Sequence, residues 1–267
     1  MNEIGFPGLG LQFTLNPVAF TIFSKDIYWY GIIIAIGLGL ALWYGVKEAK
    51  RTNFPSDALI DAVLYGTIAA IICARAYYVL FKWDYYQNNL SEIFMIWNGG
   101  IAIYGGIIGA FVSALIYCKI KNVSFLHLAD IAAPAFLIGQ SIGRWGNFVN
   151  AEAYGYETEL PWRMQLYSSE LSRIAAVHPT FLYESLWNAV GFLGLFLIRK
   201  KSPYHGFVFF LYLVWYGMGR VWIEGLRTDS LYLGNMRISQ LVAGLCIVLG
   251  TILIIWGFSN KNRQELV

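Results

Sequence analysis

The sequence predicts an all-α polytopic membrane protein with about seven transmembrane helices, and three observations carry that expectation. Apolar residues make up 58% of the 267 and charged residues only 13%, where a soluble domain carries about 25% charged. The apolar residues fall in seven long blocks, each near or above the ~20 residues a bilayer needs. Lysine and arginine gather after alternate blocks, the pattern that orients helices across a membrane.

The blocks run from Ile27 to Tyr44, Ala58 to Phe81, Ile101 to Ile120, Leu126 to Ile142, Phe181 to Ile198, Phe207 to Ile223 and Ile238 to Phe258. The fourth is among the shortest and holds Asp130 and Pro134, so its limits are the least defined. Lys47, Lys50 and Arg51 follow the first block, Lys119 and Lys121 the third, Arg199, Lys200 and Lys201 the fifth, and Lys261 with Arg263 the seventh. The positive-inside rule makes those ends cytoplasmic, with the N-terminus outside and the C-terminus inside. Arg144, Arg163, Arg173, Arg220, Arg227 and Arg237 then fall on the outer side, more arginines than a passive face needs.

The organisation expected is a single integral membrane domain over residues 1–267, with residues 143–179 inserted as an ordered outer-face cap between the fourth and fifth helices. That segment is long for a connection, and such loops usually carry function. Residues 1–26 lack the basic start and small-residue cleavage site of a signal peptide, and are expected along the outer membrane surface. Cys73, Cys118 and Cys246 lie within apolar blocks without a CxxC pairing and read as packing residues. The glycines Gly99, Gly100, Gly105, Gly106, Gly109, Gly139 and Gly143 read as sites of close helix packing.

Chemistry gathers in four places. The fourth block ends in Gly143-Arg144-Trp145-Gly146-Asn147-Phe148-Val149-Asn150-Ala151-Glu152, where charged groups at membrane depth point to a functional site. At the end of the sixth block, Arg220 and Glu224 are four apart and share a helix face, with Tyr216 one turn further in. An interfacial salt bridge is the plainer reading of that pair, but two Arg/Glu sets at matched depth weaken it. Arg75 stands well inside the second block without a partner in its own helix, so it should face the interior or a wet cavity. Tyr28-Trp29-Tyr30-Gly31 opens the first helix, where an aromatic belt is the plainer reading.

Arginines hold phosphate bidentately, and a phospholipid headgroup is the phosphate met at that depth. His127 and His205 fall on the opposite side from His178, so no histidine cluster forms and no metal is expected. Phosphate-binding glycine loops with a following lysine and HExxH are absent from the sequence. No cofactor and no nucleic-acid partner is expected. A transporter or channel would spread charge through the whole membrane depth, whereas here all but Arg75 and Asp130 sit near block ends. A rhodopsin needs a lysine in the last block, and Ile238 to Phe258 has none.

The stretch Gly143 to Gly155 resembles the signature of the bacterial prolipoprotein diacylglyceryl transferase family, and the likeness runs the length of the chain. Trp29-Tyr30-Gly31 resembles the family's first-helix motif, Ala74-Arg75 its second-helix arginine, and Gly105-Gly106-Ile107-Ile108-Gly109 its third-helix glycine run. His178-Pro179-Thr180-Phe181-Leu182-Tyr183-Glu184 is similar to the start of its fifth helix, and Gly219 to Arg227 to its sixth-helix arginine–glutamate segment. The resemblance implies transfer of the diacylglyceryl group of phosphatidylglycerol to the thiol of a lipobox cysteine in a prolipoprotein signal peptide. A thioether forms and glycerol phosphate leaves, the first step of lipoprotein maturation, in a multi-pass protein of the bacterial plasma membrane.

By the same resemblance Arg144 binds phosphatidylglycerol, with Tyr30, Arg75 and Arg220 contributing to the lipid site. Arg144 and Arg220 hold the charge growing on the leaving phosphate. Asn147 and Glu152 orient by hydrogen bonding, and Glu224 keeps Arg220 aimed. Better-known family members carry a histidine before the third-helix glycines, where this chain has Tyr104. A tyrosine near pKa 10 is a poor base at neutral pH. Arginine-assisted formation of the substrate thiolate is therefore expected, with Tyr104 as a positioning hydroxyl.

Overall fold

A computed structural model describes residues 1–168 and 173–264. Residues 169–172 of the expected cap lie outside it, as do the side chains of Lys261 and Arg263. Its helices are α1 (Trp29–Arg51), α2 (Ser56–Phe81), the one-turn α3 (Trp83–Tyr86), α4 (Ile103–Lys121), α5 (Phe125–Asn150), α6 (Thr180–Ile198), α7 (Phe207–Leu226) and α8 (Ile238–Gln264). All but α3 are long and apolar enough to cross a membrane, so among the described residues seven helices match the seven blocks.

One boundary differs. The helix expected to stop at Ile142 continues to Asn150, so Arg144, Asn147 and Asn150 are helical rather than part of a loop. Their polarity reflects what they face, not where the helix stops. The end comes where Ala151 turns left-handed (φ 53°) and the Glu152 amide bonds the Asn147 carbonyl. Pro134 inside α5 removes one backbone donor. Four residues earlier, the Asp130 carboxylate accepts the amides of Gly206 (2.6 Å) and Phe209 (2.9 Å). That charge within the fourth block is thereby explained as the cap of the α7 N-terminus.

The chain divides into two compact units, Met1–Tyr44 with Ala129–Val267, and Gly45–Leu128. In the first unit the segment before α1 is not a featureless surface strip. β1 (Asn2–Phe6) and β2 (Leu11–Leu15) form a hairpin, followed by a second one, β3 (Val18–Ile22) with β4 (Lys25–Tyr28). β5 (Met164–Ser168) and β6 (Arg173–Val177) come from the segment between α5 and α6. They join the first hairpin in an antiparallel sheet of order β2-β1-β5-β6. Alternate residues of this sheet (Ile4, Phe6, Met164, Leu166, Ala175, Val177) form one core with Phe148 of α5 and Phe181 of α6. The sheet therefore seats on the end of α5 and the start of α6. A short hairpin, β7 (Tyr232–Leu233) with β8 (Met236–Arg237), joins α7 to α8.

Two reciprocal contacts set the registry of α5, α6 and α7. Ser141 Oγ donates to the Ser185 carbonyl and Ser185 Oγ to the Ser141 carbonyl, each at 2.9 Å. The Trp187 indole donates to the Trp215 carbonyl and the Trp215 indole to the Trp187 carbonyl, each at 3.1 Å, with the rings stacked 4.3 Å apart. Gly219 lies under the Trp187 ring and Gly191 under the Trp215 ring, where any Cβ would collide.

In the second unit α2 and α4 pack through glycine. A Cβ on Gly105 would lie 2.5 Å from the Cys73 carbonyl oxygen, and one on Gly109 2.6 Å from that of Ala69. This is the close packing expected of the glycine run.

Candidate functional site

The registry of the first unit brings four charged side chains together. Arg144 lies one turn beyond Ser141 on α5, and Glu184 precedes Ser185 on α6, so the serine contact sets them face to face. Arg144 Nη2 meets Glu184 Oε2 at 2.6 Å. One turn beyond the tryptophan clasp, Arg220 Nη1 of α7 reaches Glu184 Oε1 at 3.2 Å. Arg227, just past the end of α7, reaches the same oxygen from Nη1 at 3.1 Å. One carboxylate thus receives three guanidinium groups.

Each arginine has a second support. Arg144 Nη1 donates to Asn147 Oδ1 (3.2 Å), Asn147 Nδ2 donates to Glu152 Oε1 (2.9 Å), and Asn150 Nδ2 donates to the same oxygen (3.3 Å). Arg220 Nη2 pairs with Glu224 Oε2 at 2.7 Å, the i,i+4 contact that the spacing predicts. Arg227 holds Asp229 with Nε at 2.9 Å and Nη2 at 2.6 Å. Tyr30 of α1 stands over the Arg144 turn, because a Cβ on Gly146 would lie 2.7 Å from its ring.

Exposure separates anchors from hands. The side chains of Glu184 and Glu224 are 8% and 2% exposed, whereas Arg144 and Arg220 keep 27% and 18%. The two arginines can meet a ligand while their carboxylates cannot. Outside the helices, burial disfavours the charge on Arg227. The hydrogen bond and charge of Asp229 and the charge of Glu184 outweigh it, and hold this guanidinium above the ordinary arginine range. Burial likewise raises Asp229, but Arg227 prevails and keeps its carboxyl below the usual carboxylate range. Arg237, the last residue of β8, donates to the Glu224 carbonyl and to Tyr156 Oη (2.9 Å), capping α7 with a cation.

The segment after α5 ties the helix ends together. Thr180 Oγ1 donates to the Ala153 carbonyl at 2.5 Å, Gly155 bonds the His178 carbonyl, and Tyr156 bonds the Leu226 carbonyl. A Cβ on Gly155 would meet Leu226, His178 and Thr180 at once.

Arg144, Asn147, Glu152, Arg220, Glu224 and Tyr30 of the expected site therefore assemble in one unit. Arg75 and Tyr104 belong to the other unit. Tyr104 stands half-exposed in the first turn of α4. Arg75 is 7% exposed, and its donors meet four backbone carbonyls, of Glu92 (2.5 Å), Ile93, Gly99 and Gly100 (2.8 Å each). Tyr86 lies under its guanidinium at 5.2 Å. With those donors committed, it braces residues 92–100 rather than offering a free phosphate ligand. Sequence reasoning gave no role to Glu184, Arg227 or Asp229. Glu184 carried a legible signal, as the sole charged residue in its apolar block. Among the described residues, no three His, Cys, Asp or Glu side chains gather into a group that could hold a metal ion.

Comparison with known proteins places this geometry in a family. Residues 17–256 match the family described as prolipoprotein diacylglyceryl transferase. A phosphatidylglycerol–prolipoprotein diacylglyceryl transferase of Lysinibacillus sphaericus is 50% identical over 257 residues, covering 92% of this chain and 93% of that protein. The protein of that name from Bacillus velezensis is 44% identical over 276 residues, covering 99% of each chain. One from Listeria innocua is 46% identical over 261 residues, covering 96% of this chain and 94% of its own. With a match over nearly its whole length and seven apolar helices carrying the arginine cluster, the chain belongs to the prolipoprotein diacylglyceryl transferase family.

Proposed function

We propose that this chain transfers the diacylglyceryl group of phosphatidylglycerol to the thiol of a lipobox cysteine, at the cluster around Glu184. The observation that carries the reading is the uneven exposure there. Three guanidinium groups pair with three carboxylates, of Glu184, Glu224 and Asp229, but Arg144 and Arg220 keep 27% and 18% exposure while Glu184 and Glu224 keep 8% and 2%. A phosphodiester headgroup, which carries one negative charge, therefore meets guanidinium and not carboxylate. Arg144 and Arg220, the partly exposed members, grip the phosphate through their remaining donors.

The substrate sulfur attacks the glyceryl carbon, an S–C bond forms, and the C–O bond to phosphate breaks with its electron pair moving to oxygen. Glycerol phosphate leaves with a second negative charge, so the arginines hold the transition state better than the bound lipid. A preorganised donor aimed at such growing charge contributes about 3–4 kcal/mol. The thiol starts near pKa 8.5, and the surrounding positive charge favours its thiolate. Glu184 and Glu224 keep the arginines from swinging to headgroups, Asn147 and Glu152 fix Arg144, and Tyr30 borders the lipid. By the family resemblance Tyr104 is a positioning hydroxyl, and Arg75 orders residues 92–100 within its own unit.

The alternating basic clusters support an orientation with the N-terminus outside and the cluster on the outer face of the bacterial plasma membrane, where secreted prolipoproteins emerge. The test is to incubate the purified protein with phosphatidylglycerol and a lipobox peptide and look for a diacylglyceryl adduct by mass spectrometry. The expected result is an adduct on the peptide and none on its Cys→Ser variant. No adduct from folded protein would overturn the reading.

A further inference from the structure

The hairpin of β3 and β4 has no core of its own. None of its residues is buried, and a two-stranded hairpin alone in water is marginal at best. Its two faces differ in chemistry. Phe20 pairs with Ile27 and Ile22 with Lys25, placing three large apolar side chains on one face, while Thr21 and Asp26 pair on the other. There Thr21 Oγ1 donates to Asp26 Oδ1 at 2.7 Å. The apolar face is open, with Phe20 at 49%, Ile22 at 48% and Ile27 at 36% exposure.

The turn sharpens the question. Phe23 and Ser24 form it with φ of 46° and 61°, both left-handed. This is the backbone of a two-residue hairpin turn that favours Asn-Gly. A phenylalanine there costs backbone energy, and its ring is 97% exposed, so no packing within the unit offsets that cost.

We infer that this hairpin is a membrane anchor, its Phe20, Ile22, Phe23 and Ile27 immersed in the lipid leaflet at the N-terminal end of α1. Chain continuity selects lipid over a protein partner. Tyr28 ends β4 and Trp29 begins a helix of membrane-crossing length, and the Trp29 amide bonds the Pro17 carbonyl at 2.9 Å, fixing the hairpin base to that helix end. Tyr28 and Trp29, both exposed, belong to residue types that settle at headgroup level. Lys25 sits on the apolar face beside the turn, where its long stem can lie along acyl chains while the ammonium reaches phosphate. The polar Thr21–Asp26 face turns to water. Such an anchor holds the sheet at the membrane surface and is independent of the reaction proposed above.

The experiment places a fluorescent label at Phe23→Cys or Asp26→Cys in the full chain, reconstituted into phosphatidylcholine–phosphatidylglycerol vesicles. The unsubstituted chain, labelled alongside, supplies the background from Cys73, Cys118 and Cys246. At position 23 the label is expected to lose its fluorescence to nitroxide-bearing lipids and to resist aqueous iodide, with the reverse at position 26. Phe20→Cys and Thr21→Cys are expected to repeat the contrast. Iodide quenching at position 23 as strong as at position 26 would overturn the inference. So would shielding from both quenchers, which means protein covers the tip.

Discussion

Glu184→Gln separates holding the arginines from merely neutralising them. Gln keeps one acceptor, which can serve Arg220 and Arg227 where Glu184 Oε1 now stands at 3.2 and 3.1 Å. Its amide replaces the oxygen that meets Arg144 at 2.6 Å, and an N–H then faces a guanidinium donor. A hydrogen bond between charged groups contributes about 1.5–3 kcal/mol, and removing one partner of a buried pair costs about 3–5 kcal/mol. Arg144 keeps 27% exposure, so solvent screening brings the cost below that of a fully buried pair. About 2–3 kcal/mol corresponds to a fall of roughly 30- to 150-fold in kcat. The lost negative charge meanwhile favours the anionic lipid, so KM for phosphatidylglycerol should hold steady or fall. The assay is adduct formation on a lipobox peptide over a range of phosphatidylglycerol, with thermal unfolding in detergent as the folding control. Unchanged kcat, or a loss confined to KM, would refute the role given to Glu184.

Arg75→Lys, with fewer donors for four carbonyls, should destabilise the second unit by about 3 kcal/mol and speed proteolysis between Lys82 and Ala102, read by limited digestion. Gly219→Ala drives a methyl into the Trp187 ring and should lower the unfolding temperature through about 1–3 kcal/mol of overpacking, with Gly194→Ala, where space is open, as the neutral control. Because the Asp229 carboxyl is depressed in the folded chain, its contribution to stability is complete above the unfolded value near 3.9. That contribution is lost as pH falls through the lower folded value, so Asp229→Asn should flatten acid denaturation in that window. Tyr104→Phe should retain far more activity than Arg144→Ala in the same adduct assay; an equal loss would make the tyrosine the base.

The parts legible in the sequence were those with local patterns. Seven apolar runs announced seven helices, and the four-residue spacing of Arg220 and Glu224 announced their pair. The end of α5 was misread because Arg144 and Asn147, which face a polar cluster from within a helix, look like loop when polarity is taken as exposure. The sheet was missed because β1 pairs with β5 across some 160 residues of chain, a non-local contact that period-two alternation over five residues cannot announce. The interior placement of Arg75 was legible from its lone charge within an apolar block, but its partners are backbone carbonyls 17 to 25 residues away, which no side-chain pattern announces. Glu184 needed only the rule that had already singled out Arg75.

The central claim is that Arg144 and Arg220 grip one phosphate as a unit aligned by Glu184. A double-mutant cycle with Arg144→Lys and Arg220→Lys, read as single-turnover glycerol phosphate release at saturating phosphatidylglycerol, tests it most directly. Residues acting as a unit are non-additive, so the double variant should lose little more than the worse single one. A double loss equal to the product of the single losses would mean that the two arginines act independently, and would contradict the account.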